Sequence, residues 1–335
     1  MHLLMGTKPG RPAMIAAETI PESGTAVPAD VRTDDRLCGR LWGLGQQCLL
    51  RALVPVATAL GNRHQAAFGI LVYHRVTQPT AGIPVPTNNV TPHTFRRQLA
   101  GLLRRGYQAW PLRKALEYHR QGRPIPRETF VVTFDDGYAS VYQHAVPILR
   151  ELQIPATVFV ATAYLDAEWP FPFDDWSANV RPEVHPLSWR PLSTRECAEM
   201  IADGLIDLGT HTHWHADFRG RPALLYRDLL TSLAVLRARF GVKDATFAFP
   251  FGNKERGFCA PELSAAAQGS GVLCSLTTEQ ELVTPQQPPF DWGRFTVTSC
   301  DTAATLVARL SGWYTLFRDL WRRLRRASPS RQGAT

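Results

Sequence analysis

A chain of 335 residues, 44% of them hydrophobic, is long enough to bury a full core and too apolar for a disordered solvating segment. The six cysteines have no C-x-x-C spacing, which argues against a thiolate zinc site and gives no disulfide framework; free thiols in a reducing compartment are the simpler reading. The formal charge of +8 is concentrated at one end: from Trp313 to Thr335 six arginines face the single Asp319, so this stretch alone contributes +5.

In chain order, residues 1–35 are rich in Pro, Gly, Ala and Thr without sustained periodicity and are expected to be a disordered leader. They lack the charged start and apolar core of a secretory signal. Residues 36–67 form a helical segment. Its most apolar part, Leu41 to Leu60, is interrupted by Arg51 and Pro55, so it is expected to lie on the domain or on a membrane surface rather than to span one. The organised domain is residues 68–310.

That domain opens with the buried-strand run Gly69–Tyr73, which ends in His74-Arg75. Thr91-Pro92 reads as a cap and N1 proline of a helix carrying Phe95, Leu99, Leu102 and Leu103 on one face. Further strands are expected at 130–134, 156–160, 206–208, 246–249, 272–276 and 295–298. They alternate with helices after Asp136, at the capping-box spacing of Ser193 and Glu196, at 225–240 and at 303–310. Seven strands alternating with helices, with no glycine-rich dinucleotide fingerprint after the first, predict an α/β fold of the irregular (β/α) barrel type. Residues 311–335 form a basic tail in which Trp313, Leu316, Phe317, Leu320, Trp321 and Leu324 recur at helical spacing opposite arginines. Such a helix either packs its apolar stripe on the barrel or makes peripheral contact with a membrane. No aromatic-arginine repeat or nucleic-acid motif points to a nucleic-acid partner, and nothing sets an oligomeric state.

The chemistry is concentrated in two stretches. Phe130-Val131-Val132-Thr133-Phe134 ends abruptly in Asp135-Asp136-Gly137, two adjacent carboxylates that repel each other unless a cation joins them. Gly137 permits a turn that would aim both into one pocket; a plain Asp-Asp-Gly turn is the bland alternative. In Gly209-Thr210-His211-Thr212-His213-Trp214-His215 the outer histidines are four apart and share a side. One Asp and two His make a three-ligand set with positions left open, as catalytic zinc sites have.

Together these stretches resemble the motifs of the polysaccharide deacetylases, the NodB homology domain of carbohydrate esterase family 4. Thr133-Phe134-Asp135-Asp136-Gly137-Tyr138 looks like the first motif, and His211 to His215 matches the second, H-[ST]-x-x-H. The resemblance covers roughly residues 68–310. It implies the same barrel, Asp135 as general base, Asp136, His211 and His215 as ligands of a divalent ion (Zn²⁺ first, with Co²⁺, Ni²⁺ or Fe²⁺ as alternatives), and Thr212 tying the loop together. Most of the family carries its acid histidine late in the domain, whereas the last histidine here is His215. A circularly permuted branch that deacetylates poly-N-acetylglucosamine has it on the first strand, in a sequence like Val72-Tyr73-His74, so His74 inherits the role. Phe247-Ala248-Phe249-Pro250-Phe251-Gly252 is similar to that branch's third motif, which shapes the pocket. The family's arginine that orients the base is apolar at that position; Arg294 is either its substitute or a surface residue. Trp169 and Trp176, in an aromatic loop with Phe171, Phe173 and Trp189, form either a substrate wall or a plug.

The implied function is metal-dependent removal of N-acetyl groups from N-acetylhexosamine units of an exopolysaccharide or envelope glycan. Alternatives are hydrolysis of another non-peptide amide, a non-haem iron oxygenase, which would leave Asp135 and His74 unexplained, and an inactive glycan-binding or membrane-associated scaffold. The missing signal and unpaired cysteines predict a cytoplasmic or inner-membrane-face location; family relatives are often secreted or envelope-bound.

Overall fold

The computed structural model describes residues 38–63, 66–174 and 184–327, with side chains outside 38–47, 58 and 321–327. The 1–35 leader, Trp176 and residues 328–335 lie outside the described residues.

The elements run α1 (Cys38–Leu60), β1 (Gly69–Tyr73), β2 (Arg75–Val76), β3 (Asn89–Val90), α2 (Pro92–Leu103), β4 (Gln108–Ala109), α3 (Leu112–Arg120), β5 (Thr129–Phe134), α4 (Val146–Leu152), β6 (Ala156–Val160), α5 (Thr194–Ile201), β7 (Ile206–Thr210), α6 (Pro222–Phe240), β8 (Phe247–Ala248), α7 (Pro261–Gly269), β9 (Ser275–Leu276), β10 (Phe295–Thr296), α8 (Ala303–Leu310) and α9 (Trp313–Ala327). Strands β1, β5 and β6 are buried along their whole length. Unbroken apolar runs of this kind suit strands covered on both faces, and all the pairings in the main sheet are parallel.

Seven strands follow in the order β10-β1-β5-β6-β7-β8-β9, with β4 added on β5. They are the seven expected from the sequence, curled into an incomplete barrel with helices around it. No ladder joins β9 to β10 among the described residues. A single parallel bridge between Leu276 and Trp292 spans that gap. Several late strands are shorter than expected, for local reasons. Pro250 cannot donate a ladder hydrogen bond beyond β8, and past β10 Thr298 turns its N–H and hydroxyl to Asp301 at 2.8 and 2.9 Å.

The helices start where their caps predict. Thr91 caps α2, and reciprocal capping boxes open α5 (Ser193 with Glu196) and α8 (Thr302 with Thr305). Helix α1 lies on the body, burying Leu50, Leu53 and Ala57 against the main core. No helix among the described residues is long and apolar enough to cross a membrane.

Register levels the strand ends. Tyr73 lies opposite Phe134, Phe134 opposite Val158, Val160 opposite Thr210, and Thr210 opposite Phe247. His74, Asp135 and His211 therefore leave their strands at one rim, the C-terminal rim where barrels build their sites.

Candidate active site

The rim holds its functional groups in unusual backbone conformations. Asp136, Thr212, His215 and Phe251 all have positive φ (70°, 68°, 52° and 63°), a region costly for residues with a side chain and often found where function demands it. Gly137 follows at φ 88°, and a Cβ added there would meet Val160 Cγ1 at 3.0 Å, so the turn favours glycine. The sequence suggested that Gly137 would take the turn. In the structure Asp136 shares it, and both carboxylates line one cavity of about 390 Å³.

Asp136, His211 and His215 come together there, buried, with ligand atoms all within 4.8 Å of one another. Asp136 Oδ1 lies 3.4 Å from Nε2 of each histidine. The His211 ring is oriented by Nδ1, 2.8 Å from the Ala248 carbonyl. A carbonyl only accepts, so Nδ1 carries the hydrogen and the Nε2 lone pair faces the cavity. His215 Nδ1 is buried without a hydrogen-bond partner among the described residues. Two imidazoles and a carboxylate converging on one point are a donor set suited to a divalent ion of the zinc type. The carboxyl of Asp136 is pushed up by burial, but the neighbouring His211 and His215, together with the charge of His74, outweigh this and hold it well below its ordinary value.

Asp135 is not part of that group. Arg294, wholly buried just before β10, grips it with two parallel bonds, Nη1 to Oδ1 at 2.6 Å and Nη2 to Oδ2 at 2.7 Å. Burial raises the Asp135 carboxyl; Arg294, His211 and His74 together outweigh it, so it stays ionised. His74, on the neighbouring strand end, is the third participant. Burial lowers its pKa, opposed by the charges of Asp136 and Asp135.

Thr212 accepts from His215 N at 2.9 Å through Oγ1, closing the loop between the histidines. Phe251 is among the cavity walls, its ring 5.0 Å from that of His215, while Pro250 and Gly252 form the turn beneath it. The aromatic loop divides its labour. Phe171 is buried among Tyr138 and Tyr164, Phe173 stacks on His215 with ring centroids 3.7 Å apart, and Trp189 packs with Val184 and Ile83. Trp169 is 62% exposed and is not among the cavity walls.

Other groups at the site escaped sequence reasoning. Arg75 pairs with Asp174 inside the protein and lies over the Tyr138 ring at 4.3 Å; Tyr138 donates to the same carboxylate at 2.6 Å. This latch fixes the segment that carries Phe173. Asn88, Asn253, Arg256 and Thr278 add a polar rim. The only sequence hint was position: Arg75 adjoins His74, and Tyr138 closes the first motif.

Residues 122–266, which hold Asp135, Asp136, His211 and His215, match the family described as polysaccharide deacetylase. The fold and the site thus define a hydrolase acting on carbon–nitrogen bonds other than peptide bonds. The family match covers 145 of the chain's 335 residues. The chain is similar to the poly-β-1,6-N-acetyl-D-glucosamine N-deacetylase of Staphylococcus aureus, at 24% identity over 265 residues, covering 73% of this chain and 83% of the relative. Among solved structures, IcaB from Ammonifex degensii has a TM-score of 0.59 at 25% identity, covering 74% of this chain and 99% of that one. A Streptococcus pyogenes deacetylase in complex with acetate shares the fold with a TM-score of 0.60 at 17% identity, covering 74% and 99%. The family match begins after β1, so His74 stands outside it.

Proposed function

We propose that the chain is a divalent-metal-dependent N-deacetylase acting on N-acetylhexosamine units of a poly-N-acetylglucosamine-like exopolysaccharide. The observation that carries this reading is the convergence of Asp136, His211 and His215 beside a separate carboxylate, Asp135, that is held ionised by Arg294. Asp136, His211 and His215 would hold the ion, Zn²⁺ being the best match to the donor set with Co²⁺, Ni²⁺ and Fe²⁺ as substitutes. When bound, it lowers the pKa of a water and polarises the acetyl carbonyl.

The chain's own residues do the proton work. Asp135 accepts the proton of the attacking water as its oxygen bonds to the acetyl carbon. Arg294 keeps that carboxylate charged and fixed in direction. When the carbon–nitrogen bond breaks, His74 protonates the leaving nitrogen, giving acetate and a free amine on the sugar. Phe173 and Phe251 wall the cavity with aromatic faces on which a sugar ring can rest.

Acetate release from β-1,6- and β-1,4-linked N-acetylglucosamine oligomers, measured after chelation and again with Zn²⁺, Co²⁺ or Ni²⁺ restored, tests the reading. Metal-restored release from the β-1,6 oligomers is expected. No release from any oligomer with any ion would overturn it.

Two further readings rest on separate observations. The five cysteines whose side chains are described are free, which supports a reducing compartment, in the cytoplasm or at the inner membrane face. Phe317 and Leu320 of α9 are exposed, 37% and 49%, within a helix rich in arginine, which supports peripheral contact with an anionic membrane.

A further inference from the structure

Behind the histidine loop, helix α6 carries two polar residues one turn apart, Asp228 and Ser232, both buried and both turned to that loop rather than to solvent. Each oxygen of Asp228 receives one of two consecutive backbone N–H groups: His213 N donates to Oδ1, and Trp214 N to Oδ2 at 3.2 Å. Among the described residues Asp228 pairs with no cation. Asp228 is only 7% exposed, and a carboxylate buried without a counter-ion is an expensive way to tie down a loop for stability alone.

Ser232 completes the hold. Thr210 Oγ1 accepts from Thr212 N at 3.1 Å and lies 2.7 Å from Ser232 Oγ, and because the Ser232 hydrogen goes to the Thr212 carbonyl, Thr210 is the donor of that pair. Thr162 donates to the same oxygen at 3.0 Å, and Ser232 donates onward to the Thr212 carbonyl at 3.3 Å. Helix α6 thus grips the backbone at residues 212, 213 and 214, the whole span between the two histidines. Those residues include Thr212, whose left-handed φ the grip must sustain, as it must that of His215.

We propose that Asp228, assisted by Ser232, is a positioning residue for the metal-binding loop: by holding three consecutive backbone groups it sets the directions in which His211 and His215 leave the chain, and so the geometry of the ion site. This rests on the reading of Asp136, His211 and His215 as ligands. Groups that orient ligands from behind typically contribute about 10–100-fold in metal affinity.

The test is Zn²⁺ affinity of the full chain by competition with a chromophoric chelator, together with the visible spectrum of the Co²⁺ form, for Asp228→Ala, Asp228→Asn and Ser232→Ala. Leu236→Ala is the control, because it removes a fully buried side chain from the same helix where that side chain packs in the main core. Asp228→Ala is expected to weaken Zn²⁺ binding about 10–100-fold and to change the Co²⁺ bands. Asp228→Asn, which keeps one acceptor, should fall between it and the parent. Leu236→Ala should lower Tm while leaving Zn²⁺ affinity unchanged. Parent-like Zn²⁺ affinity in Asp228→Ala, or a loss no larger than that of the control, overturns the proposal. Should Asp228→Ala fail to fold, Asp228→Asn and Ser232→Ala decide by the same readout. A parent that binds no Zn²⁺ would overturn the ion-site reading itself, an outcome distinct from equal binding by parent and variant.

Discussion

Arg294 and Asp135, 159 positions apart in the chain, meet as a two-pronged ion pair with both partners buried. Removing one partner of such a pair leaves a charge with no solvent, at roughly 3–5 kcal/mol. Arg294→Met should therefore destabilise the protein by about that amount in denaturant unfolding. Adding Asp135→Asn to Arg294→Met should recover a large part of it, because no charge is then stranded. Independent, additive losses would show that the two residues are not coupled.

Asp135→Asn alone separates holding an ion from moving a proton. It should retain the parent's metal content and lose on the order of 10²–10⁴-fold in kcat, the scale of general base catalysis. His74→Ala should likewise keep the metal while losing most of the rate, along with the high-pH fall of kcat/KM. An unchanged rate and pH profile in His74→Ala would remove the acid from the scheme.

Each of Asp136→Ala, His211→Ala and His215→Ala should abolish stoichiometric binding of a divalent ion, read by elemental analysis after dialysis. Full metal content in both histidine variants would place the ion elsewhere.

Acid sensitivity should be detectable away from the site. Glu196 is buried, which raises its pKa, but bonds from Arg190 at 2.5 and 2.9 Å and from Ser193 N at 2.9 Å outweigh this and lower it overall. A depressed folded-state value means stability that is present above the unfolded value and lost as pH falls through the folded one. Glu196→Gln should destabilise the protein by roughly 1–3 kcal/mol at pH 7. The gap from the parent should close as pH drops below the ordinary carboxylate range. A gap independent of pH would rule out the charge as its source.

For α9, co-sedimentation with phosphatidylglycerol vesicles should exceed that with neutral vesicles and fall as salt rises, since surface attraction is screened. Phe317→Ser with Leu320→Ser should weaken it. Equal sedimentation with both vesicle types, or with neither, would count against membrane contact.

How legible the site was depended on distance along the chain. Asp135, Asp136, His211 and His215 could be read because an apolar strand ending in ligand-type residues is a local pattern, and the seven strands followed from local hydrophobic runs. The reach of Arg294 to Asp135, the Arg75–Asp174–Tyr138 latch and the hold of Asp228 on residues 213 and 214 are side-chain contacts across 14 to 159 positions. No periodicity encodes them. Trp169 illustrates the converse: aromatic composition drew attention to its loop, but burial, which composition does not carry, selected Phe173 for the cavity.

Because β1 is held between β5 and β10, the groups at the rim come from the first strand, the middle and the last strand of the sheet. On a ribosome, where synthesis runs from the N-terminus, this gives the centre a timetable. The three candidate ligands, and the Asp228 and Ala248 groups that orient them, have all been made before Arg294 emerges and β10 docks on β1 to clamp Asp135. On the proposed reading, the direction of the base is the last part of the centre to be fixed, and it is fixed by the sheet's last strand.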